Sequence, residues 1–360
     1  MSQPVPLKVV DMRRETPEAV CLFLEPPAPE AAAFRNFKPG QYLTFELDVP
    51  GQGTLRRSYS LCSLPGGEEP LAVAVKKVSG GRGSVYLNQQ VKPGDTLKAF
   101  RPEGRFTPAL EPGRAVHYFL VAGGSGITPI FSILKAVLKT EPQSRITLVY
   151  ANRHKDSVMF GRELKEFSDA NPDRLTYLQA LDKPGLFWRG LKGPLQASDF
   201  RKIYEKHSRQ GLPEEFYVCG PAGMMQEAIH GFVAAGVPRE AIILEYFQAP
   251  GEGVGTAQGP SPQGASKPTD AKALVALHGK EFQISVPAGT TLLRAAQNAG
   301  LDPPYSCEAG VCSTCMARLL EGQVKMVENN ILTEKEVQDG YILTCQALCL
   351  TPQVKIQYID

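Results

Sequence analysis

Cys307, Cys312 and Cys315 form a C-x4-C-x2-C run, and Cys345 follows after 29 further residues. No other feature of the chain constrains its fold so tightly. The spacing is that of a [2Fe–2S] cluster, whose two tetrahedral irons need four thiolates between them. Three sulfurs on one tight loop and a fourth from a distant strand would make the cluster a clip across the C-terminal part as well as a one-electron centre. Four reduced structural cysteines, or a zinc site, are the competing readings. Zinc usually draws on two CxxC-like pairs, whereas here a single loop carries three of the sulfurs.

At 360 residues the chain exceeds what one hydrophobic core usually covers, so two or three domains are expected. No apolar run approaches the length of a membrane span, and the opening MSQPVPLKVV has no apolar signal core. Those features, with eight cysteines, point to a cytoplasmic protein with reduced thiols and no stable membrane insertion. A net charge of +2 argues against a nucleic acid as partner. The charge is uneven. Lys272–Asp360 carries seven basic and nine acidic side chains, and the rest carries 32 and 28. Both scatter and electrostatic docking of an acidic module on a basic body fit that difference.

The segment QAPGEGVGTAQGPSPQGASKPT, Gln248 to Thr269, is too poor in large apolar residues to order itself and reads as a linker. The chain then divides into an antiparallel β-barrel over 1–113, a parallel α/β domain over 114–247, a linker over 248–271 and the cysteine-bearing domain over 272–360. In the first, β-rich runs at Val20–Leu24, Gln41–Leu47, Arg56–Cys62 and Leu71–Val78 alternate with Pro-Gly and Gly-Gly turns. In the second, VHYFLVA, ITLVYA and EEFYVCG alternate with helices expected from Thr128, near Val158–Ala170 and from Ala222.

Four short motifs carry chemistry. GGSGITP (Gly123–Pro129) is a glycine turn opening a helix, a place where backbone N–H groups can meet a pyrophosphate. It departs from G-x-G-x-x-G, and alone it fits an ordinary tight connection equally well. VCGPAGMM places Cys219 and Gly220 at the carboxyl edge of the sheet, where α/β proteins bind ligands, although a buried cysteine is often only a small hydrophobe. RRSYSL puts Arg57, Tyr59 and Leu61 on one face of a strand and Ser58 and Ser60 on the other. Such an Arg and Tyr can hold a phosphate and cover an aromatic ring, or form an exposed cation–π pair. The turn Gly81–Ser84 in VKKVSGGRGS could offer N–H groups and a hydroxyl to a second phosphate.

Taken in order, R-x-Y-S, G-x-x-S, GGxGITP, CGP and a terminal E-x-aromatic resemble the ferredoxin–NADP reductase superfamily, followed by a fused plant-type ferredoxin of α+β (β-grasp) fold. The resemblance covers the chain apart from the linker. It implies FAD rather than FMN, with Arg57 on the flavin phosphates, Tyr59 on the isoalloxazine, Ser60 near flavin N5 and Gly81–Ser84 on the pyrophosphate. It implies that Gly123, Gly124, Gly126 and Thr128 bind the NAD(P) pyrophosphate and ribose. Cys219 and Gly220 would then lie by the nicotinamide, with Glu245 and Phe247 at the flavin's other side. Ala151 stands where the family usually has Gly, and ALDKP lacks the Ser-Arg that often follows the third strand.

Within the superfamily, YANRHKDSVMFGREL and EFYVCGPAGMM are most similar to reductase components of multicomponent oxygenases, in particular the phenylacetyl-CoA epoxidase reductases, which makes phenylacetyl-CoA epoxidation the first expected partner reaction. A flavin joins a two-electron hydride donor to a one-electron cluster. The expected partner is therefore an oxygenase, or an acyl desaturase or other hydroxylase, receiving electrons from the [2Fe–2S] cluster. NADPH is expected over NADH because Arg153, with Lys155 close behind, follows the strand Ile146–Ala151, although both fit solvated loop charges as well. A non-catalytic iron–sulfur redox sensor on a vestigial reductase scaffold is the rival of a different class. The Glu308–Val311 stretch between cluster ligands is expected at the surface, as the exit for electrons.

Overall fold

The computed structural model describes residues 3–51, 53–67, 69–208, 211–247 and 267–359, so most of the expected linker lies outside the described residues. Two compact units meet in sequence at Glu245 and Tyr246.

The first unit begins with six antiparallel strands: β1 (Val5–Thr16), β2 (Ala19–Glu25), β3 (Tyr42–Val49), β4 (Gly53–Ser60), β5 (Leu71–Lys76) and β6 (Thr96–Ala99). Their order is β4-β3-β6-β1-β2-β5, and a bridge from Leu61 to Val73 joins the two ends. Closing the sheet removes its free edges. Alternate residues such as Leu22 and Leu24, Leu43, Phe45 and Leu47 fill the interior. The four expected β-runs lie in β2 to β5. Strands β1 and β6 were not anticipated, because Lys8, Asp11, Arg13 and Arg14 break up the apolar pattern of β1 on its outward face. Two short helices, α1 (Ala31–Arg35) and α2 (Arg82–Gln89), complete the barrel.

A parallel sheet follows: β7 (His117–Gly123), β8 (Arg145–Asn152), β9 (Leu175–Leu181), β10 (Leu191–Lys192), β11 (Glu214–Cys219) and β12 (Ile242–Glu245). Its order is β10-β9-β8-β7-β11-β12. Central β7 is buried along its whole length, as a parallel strand covered on both faces must be. Helices α3 (Ile127–Thr140), α4 (Gly161–Ala170), α5 (Ala197–His207) and α6 (Ala222–Ala234) supply the crossovers. Pro129 falls in the first turn of α3, where no intrahelical N–H is lost. Helix α4 begins at Gly161 rather than near Val158, because Phe160 adopts a left-handed conformation that stops the helix from extending backwards. Strand order reverses between β7 and β11, which makes their carboxyl ends the switch point where ligands bind.

One hydrophobic cluster joins Cys21, Cys62, Ala72, Ala74 and Phe106 of the barrel part to Ile127, Ile130, Phe131 and Leu134 of α3. The barrel and the parallel sheet therefore share a core.

The second unit holds β13 (Ala271–Leu277), β14 (Lys280–Val286), β15 (Met316–Glu321), β16 (Val324–Met326), β17 (Tyr341–Leu343), β18 (Ala347–Cys349) and β19 (Gln353–Tyr358). Its mixed sheet runs β14-β13-β19-β15-β17, with β13 and β19 parallel. Helix α7 (Leu292–Asn298) starts at Thr291, whose hydroxyl accepts from the Arg294 N–H, and buries Leu292 and Ala296 on the sheet. A short α8 (Glu334–Gln338) opens with a reciprocal Thr333–Glu336 capping box.

Candidate functional site

Three side chains from three strands meet at the switch point. Ser60 ends β4, Cys219 ends β11 and Glu245 ends β12, with Cys219 and Glu245 in register. Ser60 Oγ donates to Glu245 Oε2 at 3.4 Å, and both residues are buried. Burial pushes the Glu245 carboxyl up to about 8, partly opposed by the Ser60 hydrogen bond. Burial also raises the Cys219 thiol, which has no exposed surface, and the neighbouring Glu245 adds to that rise. The result is a buried cluster in which a carboxyl can hold or release a proton near neutral pH and the thiol stays protonated.

Glycines bring two backbone turns together beside it. A Cβ on Gly126 would lie 2.2 Å from the Cys219 carbonyl oxygen, and one on Gly123 would meet Pro221 at 2.6 Å. The turn after β7 is thus packed backbone to backbone on the turn after β11, a closeness that only glycine permits. Gly124 has φ +52° and nothing within 4 Å of a Cβ, so its face is open for a ligand to approach. Tyr150 Oη donates to the Gly124 carbonyl at 3.0 Å and fixes the turn from the β8 side. Thr128 is buried and its hydroxyl donates to the Ser125 carbonyl at 3.1 Å, so any ligand would meet it as an acceptor. Gly220 is half-buried at the end of β11. Arg153 and Lys155 lie exposed beyond β8. Phe247, two residues past β12, is exposed.

On the barrel, Arg57 points outward and Tyr59 is half-buried, with its ring 6.0 Å from that of Phe45. Burial raises the Tyr59 hydroxyl well above its ordinary value, so it stays a neutral donor. The Gly81–Ser84 segment is not the free turn expected. Gly81 is the N-cap of α2, and the other three residues form its first turn. Ser84 is buried and its hydroxyl accepts from the Val78 N–H at 3.1 Å, which leaves its O–H as the group a ligand would meet. Beside it the first-turn N–H groups have no carbonyl within the helix. Gly83 would bring a Cβ to 3.3 Å from Arg57 Cγ, so the first turn of the helix lies beside the stem of that side chain. A helix N-terminus and the guanidinium that such a stem carries are donors that suit a diphosphate.

The cysteine loop fits a two-iron cluster. Cys312 and Cys307 sulfurs are 3.1 Å apart, and Cys345 lies against both Cys307 and Cys315. The four sulfurs form one connected group, Cys312–Cys307–Cys345–Cys315, as four thiolates around two irons would. The Ala309 N–H donates to Cys307 Sγ at 3.4 Å, as a thiolate ligand requires. Two expectations need correction. Cys345 sits in a three-residue turn between β17 and β18, not in a strand. Thr344 bonds the Cys315 carbonyl and Gln346 Nε2 donates to the Glu308 carbonyl at 2.9 Å, and these contacts hold the turn on the loop. Of the Glu308–Val311 stretch, Glu308 is exposed but Gly310 and Val311 are buried. Gly310 takes φ +70°, and a Cβ there would press on the Glu328 carbonyl at 2.8 Å, so the loop folds inward. Thr344, Gln346 and Arg294, which pairs with Glu308 at 3.3 Å, were not read from the sequence. Nothing in their local pattern distinguishes them from surface polar residues.

Comparison with known proteins agrees with this geometry. Residues 20–107 match the oxidoreductase FAD-binding domain, 120–230 the oxidoreductase NAD-binding domain and 275–350 the 2Fe-2S iron-sulfur cluster binding domain. The chain is 36% identical over 355 residues to one of the subunits of 1,2-phenylacetyl-CoA epoxidase of Escherichia coli, covering 98% of this chain and 97% of the relative. It is 34% identical to the ferredoxin reductase component of 3-ketosteroid-9-alpha-monooxygenase of Mycobacterium tuberculosis, covering 98% and 95%. Phthalate dioxygenase reductase shares the fold, with TM-score 0.59 and 24% identity over 99% of this chain and 98% of that one. An intact type IV self-sufficient cytochrome P450 monooxygenase also shares it, with TM-score 0.71 and 21% identity. There the match takes in 99% of this chain and 41% of the longer one.

The chain belongs to the ferredoxin–NADP reductase superfamily, in the branch with a fused C-terminal [2Fe–2S] ferredoxin. It is an NAD(P)H-dependent FAD and [2Fe–2S] electron-transfer oxidoreductase, and the relatives named above are components of oxygenase systems. Among the described residues, no helix is long and apolar enough to cross a membrane.

Proposed function

We propose that this reductase supplies a phenylacetyl-CoA-epoxidising oxygenase in the cytoplasm, with NADPH as donor and domain limits at 113/114, 247/248 and 271/272. Full-length identity of 36% to a subunit of the Escherichia coli epoxidase supports the assignment. Service to an acyl desaturase or another hydroxylase is the alternative.

The convergence of Ser60, Cys219 and Glu245 carries the catalytic reading. When bound, FAD accepts the hydride's two electrons and releases them singly towards the cluster. The chain's own groups orient, exclude water and manage the proton. Ser60 and Glu245, hydrogen-bonded to each other, would meet the flavin together, Ser60 with its hydroxyl and Glu245 as a proton site beside it. Cys219 stays a neutral thiol that fills the space by the nicotinamide without competing as a base. Gly123, Gly124, Gly126, Thr128 and Gly220 form the floor for the dinucleotide. Arg57 with Gly81, Ser84 and the first turn of α2 would hold the flavin diphosphate, and Tyr59 would cover the ring. Cys307, Cys312, Cys315 and Cys345 hold the cluster, and Glu308 marks the exposed part of the loop where electrons leave.

The test is co-purification from the native host, followed by NADPH consumption in the reconstituted mixture with and without phenylacetyl-CoA. Coupled turnover only with both oxygenase and phenylacetyl-CoA supports the reading. Oxygen incorporated into a product by the purified chain alone would refute it.

A further inference from the structure

Helix α4 has no cap of its own. Phe160, the residue before it, has φ 55° and ψ 22°, and its side chain caps nothing. A left-handed conformation costs an L-residue roughly 1–2 kcal/mol, so surrounding structure must hold it. Part of the hold is aromatic. The Phe160 ring stacks on Phe131 of α3 with centroids 4.6 Å apart. The other part comes from the barrel. The Phe160 N–H donates to Glu15 Oε2 at 3.2 Å, across 145 residues of sequence. Glu15 lies on β1, and its side chain is only 5% exposed. Arg13 pairs with Glu15 at 2.7 Å and with Glu163, in the first turn of α4, at 2.5 Å. A carboxylate at a helix N-terminus also lies favourably in the helix dipole.

The loop between β8 and α4 carries Arg153 and Lys155. Tyr150 Oη accepts from the Met159 N–H at 3.3 Å while donating to Gly124. The loop is therefore tied to the glycine turn through Tyr150 and to the barrel through Glu15. A cavity of about 500 Å³ opens beside it, lined among others by Arg13, Arg14, Lys155, Gln179 and Trp188. Arg13 is neutralised there by two carboxylates, so the wall near Glu15 is a strut and not an anion site.

We infer that Glu15, held by Arg13, is a positioning residue for the pyridine nucleotide: it sets the height of the Arg153–Lys155 loop above the glycine turn from the flavin side. The inference rests on the reading of that loop as the contact for the nucleotide's adenosine phosphate. It makes the barrel a determinant of nucleotide affinity, although none of its residues need touch the nucleotide.

Glu15→Ala in the full-length reductase removes the acceptor, whereas Glu15→Gln keeps an oxygen for the Phe160 N–H and loses only the charge. Glu15→Ala should raise KM for NADPH and the dissociation constant of NADP+ roughly threefold, because it loosens the loop and removes none of the loop's own charges. Its kcat should stay within about twofold, since uniform binding is what is lost. Amide hydrogen exchange at 160–164 should accelerate, and Glu15→Gln should recover most of both effects. Accelerated exchange with unchanged nucleotide affinity would reduce Glu15 to a helix cap and overturn the inference, as would no change in either. Arg153→Ala with Lys155→Ala separates the two levels. If that pair leaves NADP+ affinity unchanged, the parent reading of the loop fails. If it weakens NADP+ while Glu15→Ala does not, only the positioning role fails.

Discussion

The cluster loop and the Ser60–Cys219–Glu245 pocket assemble a redox site in opposite ways. Three cluster ligands fall within nine residues, and the fourth is brought back by a single turn that Thr344 and Gln346 pin in place. The pocket takes one residue from each of three strand ends, and Ser60 and Glu245 stand 185 residues apart. Sulfur ligands bond directly to metal, so their number and spacing are dictated by coordination chemistry. The pocket's groups act through burial and hydrogen bonds, which depend on the folded sheet. Damage to the cluster site should therefore be total and local, and damage to the pocket graded and dependent on pH.

The largest effect should come from Cys312→Ser. Loss of one of four required ligands should remove the red-brown cluster absorption and cut reduction of one-electron protein acceptors by about 100-fold or more. The flavin should remain reducible by NADPH, as a stopped-flow bleach of its visible band would report. A variant that also lost flavin reduction would show that the two sites are not separable.

Gly126→Ala tests the contact between the two glycine turns. Its Cβ would come 2.2 Å from the Cys219 carbonyl, and backbone cannot swing aside as a side chain would. Overpacking of this kind costs about 1–3 kcal/mol, readable as a lower denaturant midpoint for Pro4–Glu245 with cluster absorption retained. An unchanged midpoint would mean that the turns part easily.

Glu245→Gln probes the pocket's charge. The folded pKa of Glu245 is raised to about 8 from 4.5, so the folded state holds a proton that the unfolded chain releases. Stability from this group is full below pH 4.5 and declines as pH rises towards 8. The native protein should lose about 1–3 kcal/mol more than the Gln variant between pH 5 and 9, a discounted reading of that shift. Parallel stability curves for the two proteins would place the titration elsewhere.

These contrasts also explain what could be read from the sequence alone. The cysteine spacing and the alternation of strand and helix gave the cluster, the barrel and the parallel sheet, because each is written in local periodicity. Strand β1 is not legible because Lys8, Asp11, Arg13 and Arg14 interrupt its apolar residues, yet Arg13 braces α4 through Glu163 and Arg14 bonds Asn88 of α2. Ser84 fits a phosphate-binding motif by sequence, but the fold turns its hydroxyl to Val78. Val311 was expected at the surface, and the left-handed Gly310 beside it turns the loop inward. Arg13 finds Glu163 far along the chain, where no short motif can reach, whereas Ser84 and Gly310 depart through local backbone geometry that their motifs do not specify.

The smallest expected effect belongs to Arg153, and it bears on how far the nucleotide site extends beyond the pocket. Arg153 is exposed, so its attraction for a phosphate is screened by solvent and salt. A charge-assisted hydrogen bond to a 2′-phosphate would still be worth roughly 1.5 kcal/mol, about tenfold in KM. NADH has no such phosphate. Arg153→Ala should therefore raise KM for NADPH several-fold and leave KM for NADH and both kcat values near those of the parent protein. Raising the ionic strength should shrink the difference between parent and variant, because screening already weakens the interaction that the variant lacks. Equal changes for NADPH and NADH would remove Arg153 from the phosphate contact. In that event the basis for NADPH selectivity would have to lie among the cavity residues Lys155, Gln179 and Trp188.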